Sequence, residues 1–317
     1  MRTLQAPRLR EKVLTRASAS APGACGELAQ GMLEENLVMV TCPIDLFSTA
    51  TVEISDGVGV VHGPDDSPKA TMAVSRTLAH LGRTDVNARL RLESPIPRQK
   101  GMAGSTADII ASIGATAAAL GEPIPVARQA ELALWIEPSD GTMFPGVALF
   151  DHRTGLVARP LGDPPPMEVL VLEYPDRVDT EAFNRVDRRP ALERRSDRFL
   201  EAFGLIAAGL ETGDGVLIGL GATLDAIAYQ DVFPNPHLET GLQLARAAGA
   251  LGVNVAHSGT VLGLLFLDDP EQVTWAADKA RAAFSGLVST RRHRLIGGGL
   301  AGRSPGRYPP VGCAGSA

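Results

Sequence analysis

Ile109, Ile110, Ile113, Ala117 and Leu120 recur at three- and four-residue intervals, the spacing that lines one face of an α-helix. Ser105 or Thr106 can cap that helix, and Gly121 with Pro123 ends it. Similar apolar patterns predict helices at 70–81, 125–136, 197–210, 215–229, 238–251 and 270–284. Strands are predicted at 38–42, 46–54, 88–92, 146–151 and 167–172, then from 254 through a Ser258-Gly259-Thr260 turn into 261–267, and at 286–289. Strand-rich and helix-rich stretches mix in both halves, which predicts an α+β fold.

Gly and Pro punctuate this pattern. Pro22-Gly23 marks a turn, and Pro138 cuts the helix that reaches Glu137. The run 161–166, Leu-Gly-Asp-Pro-Pro-Pro, reads as a linker between two domains, 18–163 and 164–302. Residues 1–17 and 303–317 have no periodic apolar face and read as a flexible arm and tail, with Gly297-Gly298-Gly299 also flexible. Arginines crowd 177–198, but interleaved acids predict a solvated helical face rather than an anion site.

The 317 residues are 44% hydrophobic and 21% charged, as in an ordinary globular chain. A net charge of −6 gives no support to a nucleic-acid surface. No apolar run is long enough to cross a membrane, and residues 1–16 are basic without the apolar core of a secretory signal. Cys25, Cys42 and Cys313 have no metal-ligand spacing, and so sparse a set suggests reduced thiols in a cytoplasm.

The candidate chemistry centres on 97–108, Pro-Arg-Gln-Lys-Gly-Met-Ala-Gly-Ser-Thr-Ala-Asp. Its small residues let backbone N–H groups approach an anion, and a helix N-terminus follows. Lys100, Gly101, Met102, Ala103, Gly104, Ser105 and Thr106 are the expected phosphate contacts. No Gly-x-x-x-x-Gly-Lys-Ser/Thr occurs, so this is not a Walker A loop. Glu137 and Asp140 put two carboxylates three residues apart, although paired acids at a helix end also fit a solvated turn.

The stretch resembles the Pro-x-x-x-Gly-Leu-Gly-Ser-Ser-Ala signature of the GHMP kinases, through Pro97, Gly101, Met102, Ala103 and Ser105. Ala103 stands where the family has Gly, and Gly104 where it has the first Ser. Five ordered words further resemble the L-threonine kinases of cobalamin biosynthesis: 22–31, 42–45, 101–108, 137–146 and 254–259. The resemblance implies an N-terminal ATP-binding domain, a C-terminal ferredoxin-like domain, and substrate between them. It implies ATP and Mg²⁺ as cofactors and L-threonine as acceptor, with a homodimer left open. Ser105 and Glu137 look like Mg²⁺ ligands and Asp140 like the catalytic base, though the roles of the two acids could be exchanged. Glu27, Asp45, His257 and Ser258 fall on the substrate side. His257 is either a phosphate donor or a hydrogen-bonded structural histidine. A kinase for another small hydroxylated metabolite such as homoserine, or a nucleotide-binding protein without turnover, are the alternatives.

Overall fold

The computed structural model describes residues 13–178, 183, 185–284 and 286–301 of the chain. Two long antiparallel strands open it, β1 (Val13–Leu33) and β2 (Asn36–Asp56). β3 (Val61–His62), α1 (Pro68–His80), β4 (Val86–Glu93), α2 (Gly104–Leu120) and α3 (Val126–Leu134) follow. A 3-10 turn at Gly141–Met143 leads into β5 (Val147–Asp151), β6 (Ala158–Gly162) and β7 (Met167–Glu173). The remainder runs α4 (Arg189–Glu193), α5 (Ser196–Thr212), α6 (Gly215–Ala228), α7 (Leu238–Ala248), β8 (Gly252–Val255), β9 (Leu262–Leu267), α8 (Pro270–Ala283) and β10 (Ser289–Leu295).

All the described strands join one sheet, in the order β1-β8-β9-β7-β10-β2-β4-β3, with β5 beside β2 and β6 beside β5. The expected α+β class is met, and the helix expectations fall close to the observed elements. The first strands differ more. Pro22-Gly23 is not a chain-reversing turn but part of β1, which bulges between Pro22 and Ala24 and again on either side of Glu27. A bulge lets a strand carry Pro and Gly without ending, and it re-aims the side chains beside it.

Residues 13–17, expected in the arm, belong to β1, with Arg16 opposite Glu53 and 3.8 Å from its carboxylate. The rest of the arm and the tail from 302 lie outside the described residues. The last strand begins at Ser289 rather than 286. Gly297–Gly299 is not free: Gly298 N–H donates to Gly146 O at 2.7 Å and Gly299 N–H to Thr142 O at 2.8 Å. Backbone pairing that glycines permit, and that no local pattern announces, holds this stretch.

Helix α2 is the centrepiece of the core. Ile109, Ile110 and Ile113 are fully buried, and so are Ala107, Ala111 and Ala115. The helix is thus buried on all sides rather than along one stripe. Its Ala and Gly positions allow this close approach: a methyl at Gly114 would come within 3.1 Å of Ala19 on β1. So tight a seat fixes where the N-terminus of α2 points.

Candidate functional site

The loop 100–103 enters α2 between two other pieces of backbone. Gly26 N–H donates to Gly101 O and Ala24 N–H to Met102 O, each at 3.0 Å. On the other side Thr260 N–H donates to Lys100 O at 3.0 Å and Val261 N–H at 3.2 Å. Three segments remote in sequence, 24–26, 100–102 and 260–261, therefore meet at one place.

Ala103, the residue before α2, takes the left-handed conformation with φ 53°, and no side chain caps the helix. The expected capping by Ser105 or Thr106 is not made. Both lie inside the first turn, and their hydroxyls point to acids: Ser105 donates to Glu137, and Thr106 to Asp140 Oδ2 at 3.1 Å. The leading N–H groups of α2 stay available for an anion.

This helix start borders an open cleft of ≈ 600 Å³. Glu27, Gly101, Met102, Ala103, Gly104, Ser105, Thr106, Glu137, Asp140 and Ser258 all line it, so most of the expected site residues are brought together. Lys69 joins them, its ammonium 2.5 Å from Glu137 Oε2. Lys69 went unforeseen because it lies far from Glu137 in sequence and no local motif marks it. Asp108 also lines the cleft and accepts from Ser48 at 2.6 Å; burial pushes its carboxyl up. It closes the quoted 101–108 word, so a signal for it existed.

Half-buried Asp140 has its carboxyl pushed up to about 7, first by burial and then by the charge of Glu27. A carboxylate balanced near neutral pH can accept a proton from a hydroxyl. Glu137, tied to Ser105 and Lys69, is differently placed, which separates the two acids.

Three expected residues are placed elsewhere. Lys100 is buried and turns away from the cleft, donating to Tyr174 O and, at 2.7 Å, to Asp176 O. Its ammonium satisfies carbonyls just beyond β7, which fixes the loop rather than a phosphate. Lys100→Met is accordingly expected to cost about 2 kcal/mol of stability, read by thermal melting, with KM for ATP changed less than about threefold. Asp45 sits at the β2–β10 contact, where its Oδ1 meets His293 Nδ1 at 3.0 Å and Oδ2 meets Arg294 Nε at 3.2 Å. Neighbouring Ile44 pairs with Leu295 inside the core, and strand alternation then directs Asp45 away from it. His257 is buried behind the cleft, 3.0 Å from Glu27 Oε2 and 2.7 Å from Asp225 Oδ2, so it is not placed as a phosphate donor.

The arginine-rich stretch also departs from expectation. Arg195 and Arg198 are solvated in ion pairs with Asp231 and Glu201. Arg185 and Arg188 instead line a second pocket of ≈ 260 Å³ with Arg153, Gln30, His152 and Tyr229. The Arg188 guanidinium stacks 3.7 Å over the Phe183 ring, a contact that folding alone creates. Burial pushes His152 down to about 4, leaving it neutral, and its Nδ1 has no hydrogen-bond partner among the described residues. Tyr229 in the wall of this pocket packs edge-on against His257, whose Nδ1 faces Glu27 of the cleft.

A family model for the N-terminal domain of GHMP kinases matches residues 69–144. An L-threonine kinase of Salmonella typhimurium is 36% identical over 252 residues, covering 78% of this chain and 82% of that protein. An L-threonine kinase of Citrobacter freundii is 34% identical over 266 residues, covering 82% and 90%. Among solved structures, a homoserine kinase from Cytophaga hutchinsonii superposes with a TM-score of 0.73 at 17% identity, over 95% of this chain and 99% of that one. The L. major mevalonate kinase gives 0.66 at 15% identity, over 93% and 100%. These two likenesses describe the fold.

Proposed function

Since the chain belongs to the GHMP kinases and, among them, to the L-threonine kinases, we propose that it transfers the γ-phosphate of ATP to the side-chain hydroxyl of L-threonine. The observation that carries this reading is the convergence of Ser105, Glu137 and Asp140 at the open N-terminus of α2. Phosphoryl transfer needs a positioned nucleotide, charge neutralisation and a route for the hydroxyl proton.

The N–H groups around 103–106 hold the phosphates, helped by the α2 dipole and by Lys69. Ser105 and Glu137 would hold Mg²⁺. Their oxygens suit a hard cation that binds one or two protein oxygens and is otherwise held by phosphates and water. Such a cation supplies charge neutralisation on the phosphates. Asp140 takes the hydroxyl proton. Glu27 accepts from the acceptor's ammonium, and the arginine-lined pocket, with Arg188 in its wall, receives the carboxylate. Residues 18–163 serve as the nucleotide domain and 164–302 as its partner.

Buried free thiols at Cys25 and Cys42 support a reducing cytoplasm, and a place in cobalamin biosynthesis rests on the five ordered words of the sequence. Among the described residues no helix is long and apolar enough to cross a membrane.

Purified protein with MgATP and a panel of threonine, serine, homoserine and mevalonate is the direct test. Threonine is expected to give the fastest acceptor-dependent ADP release. Homoserine or mevalonate ahead by about tenfold in kcat/KM would overturn the acceptor. ATP binding with no transfer to any acceptor would favour a protein that kept the fold and lost turnover.

A further inference from the structure

Behind the cleft three titratable side chains form a buried chain, of which the phosphoryl-transfer scheme above uses only Glu27. Glu27 comes from β1, His257 from the turn after β8, and Asp225 from α6. Their exposures are 4%, 1% and 1%. Glu27 Oε2 accepts from the His257 backbone N–H at 2.9 Å and faces the ring Nδ1 at 3.0 Å. The opposite ring nitrogen, Nε2, lies 2.7 Å from Asp225 Oδ2. Asp225 Oδ1 in turn accepts from Gln30 N–H at 2.9 Å, and Tyr229 packs edge-on against the imidazole. Burial alone would push His257 down, but Asp225 and then Glu27 override it and hold the ring at about 9. Both ring nitrogens then carry protons, and the ring is a donor in two directions.

Both His257 contacts fall on Oε2 of Glu27, which leaves Oε1 for a ligand in the cleft that Glu27 lines. Without the imidazole two buried carboxylates would lose the cation between them. A Glu27 free of His257 loses both contacts that hold its Oε2, and with them its fixed orientation.

We propose that His257 is a positioning residue for the acceptor: clamped against Asp225, it fixes the Glu27 carboxylate so that its second oxygen meets the α-ammonium of the amino-acid substrate. Recognition of the ammonium thus depends on a residue that does not touch the substrate. This rests on the amino-acid kinase reading above.

The test is a double-mutant cycle of Glu27→Gln and His257→Gln, with KM for threonine, KM for ATP, kcat and melting temperature measured for each enzyme. His257→Gln is expected to raise KM for threonine about tenfold or more, the worth of a charge-assisted hydrogen bond. KM for ATP is expected to stay within about threefold. The double variant is expected to bind threonine no worse than Glu27→Gln alone, within about twofold, because His257 acts through Glu27. Additive losses, or an unchanged KM for threonine accompanied only by a lower melting temperature, would overturn the proposal. Should His257→Gln not accumulate folded, Asp225→Asn preserves shape and loosens the same clamp. It is expected to raise KM for threonine about threefold or more, and an unchanged KM overturns the proposal equally. If the wild type prefers an alcohol without an amino group, the acceptor reading fails on its own. The ammonium role of Glu27 falls with it, while the same cycle on that alcohol decides whether His257 acts through Glu27.

Discussion

Asp140→Asn is expected to lower kcat by about 10²–10⁴ while leaving affinity for ATP within about threefold. The range is what a positioned general base contributes. Asn keeps the size of Asp and can still accept from Thr106 Oγ1, which donates to Oδ2 at 3.1 Å, so the loop need not move. What it loses is the charge and the basicity. If Asp140 were only a turn residue, Asn would replace it at little cost, since both side chains make the same turn. Turnover within about threefold of wild type would exclude the base.

Two pH readouts accompany this substitution. Asp140 is pushed up to about 7, so the carboxylate that accepts the proton is lost below that pH. The wild-type kcat/KM is expected to fall about tenfold per unit below it, and the Asn variant should lack this limb. Stability moves in the opposite sense. The folded protein holds this proton more tightly than the unfolded chain, whose carboxyl has its ordinary value of 3.8. Below that value both states are protonated and nothing is gained or lost. As pH rises from there to about 7 the unfolded chain ionises first, and stability falls. Asp140→Asn removes that burden, so it should melt higher than wild type at pH 8 and alike at pH 4. A protein that becomes more stable as it loses turnover is what a strained functional carboxylate predicts.

Gly101→Ala is expected to be the most damaging single-methyl change in the phosphate loop. Gly101 has φ 77°, a left-handed conformation that costs an L-residue about 1–2 kcal/mol. A Cβ there would also overlap the Ala256 methyl and lie 2.9 Å from the Gly259 Cα. Overpacking of that kind typically adds about 1–3 kcal/mol. The neighbours cannot give way easily, because Lys100 O, Gly101 O and Met102 O are all engaged by backbone N–H groups of β1 and of 260–261. We expect a lower melting temperature and a loss of about tenfold or more in kcat/KM for ATP, since a shift of the loop moves every N–H that faces phosphate. Gly121→Ala is the matched control. Gly121 has φ 70°, but nothing lies within 4 Å of its added methyl. It should show the backbone cost of about 1 kcal/mol without the kinetic loss. Equal kinetic effects of the two substitutions would refute the packing explanation.

Much of the fold was legible in local pattern. The helices 197–210, 215–229 and 238–251 follow from apolar spacing and lie within a few residues of Ser196–Thr212, Gly215–Ala228 and Leu238–Ala248. Their boundaries are marked by residues with a local job, such as Gly213 and Gly249, which end α5 and α7 in the left-handed conformation. The short strands Val61–His62 and Ala158–Gly162 were not anticipated. Each is too short to build a period of its own, and β6 exists because β5 offers it an edge.

By itself the sequence determined which residue types could do the chemistry: a small-residue loop opening into a helix, a hydroxyl at Ser105, and acids at Glu137 and Asp140. These are local properties, fixed by backbone freedom and side-chain chemistry within a dozen residues. Only the tertiary structure decided which way each side chain faces. Lys100, one residue from Gly101, turns inward because the carbonyls of Tyr174 and Asp176 need a donor there. Asp45 serves a strand contact, His257 is clamped behind Glu27, and Lys69 and Arg188 arrive from segments that no motif connects to the site. Direction is set by burial and by partners supplied from remote parts of the chain, and those exist only once the chain has packed.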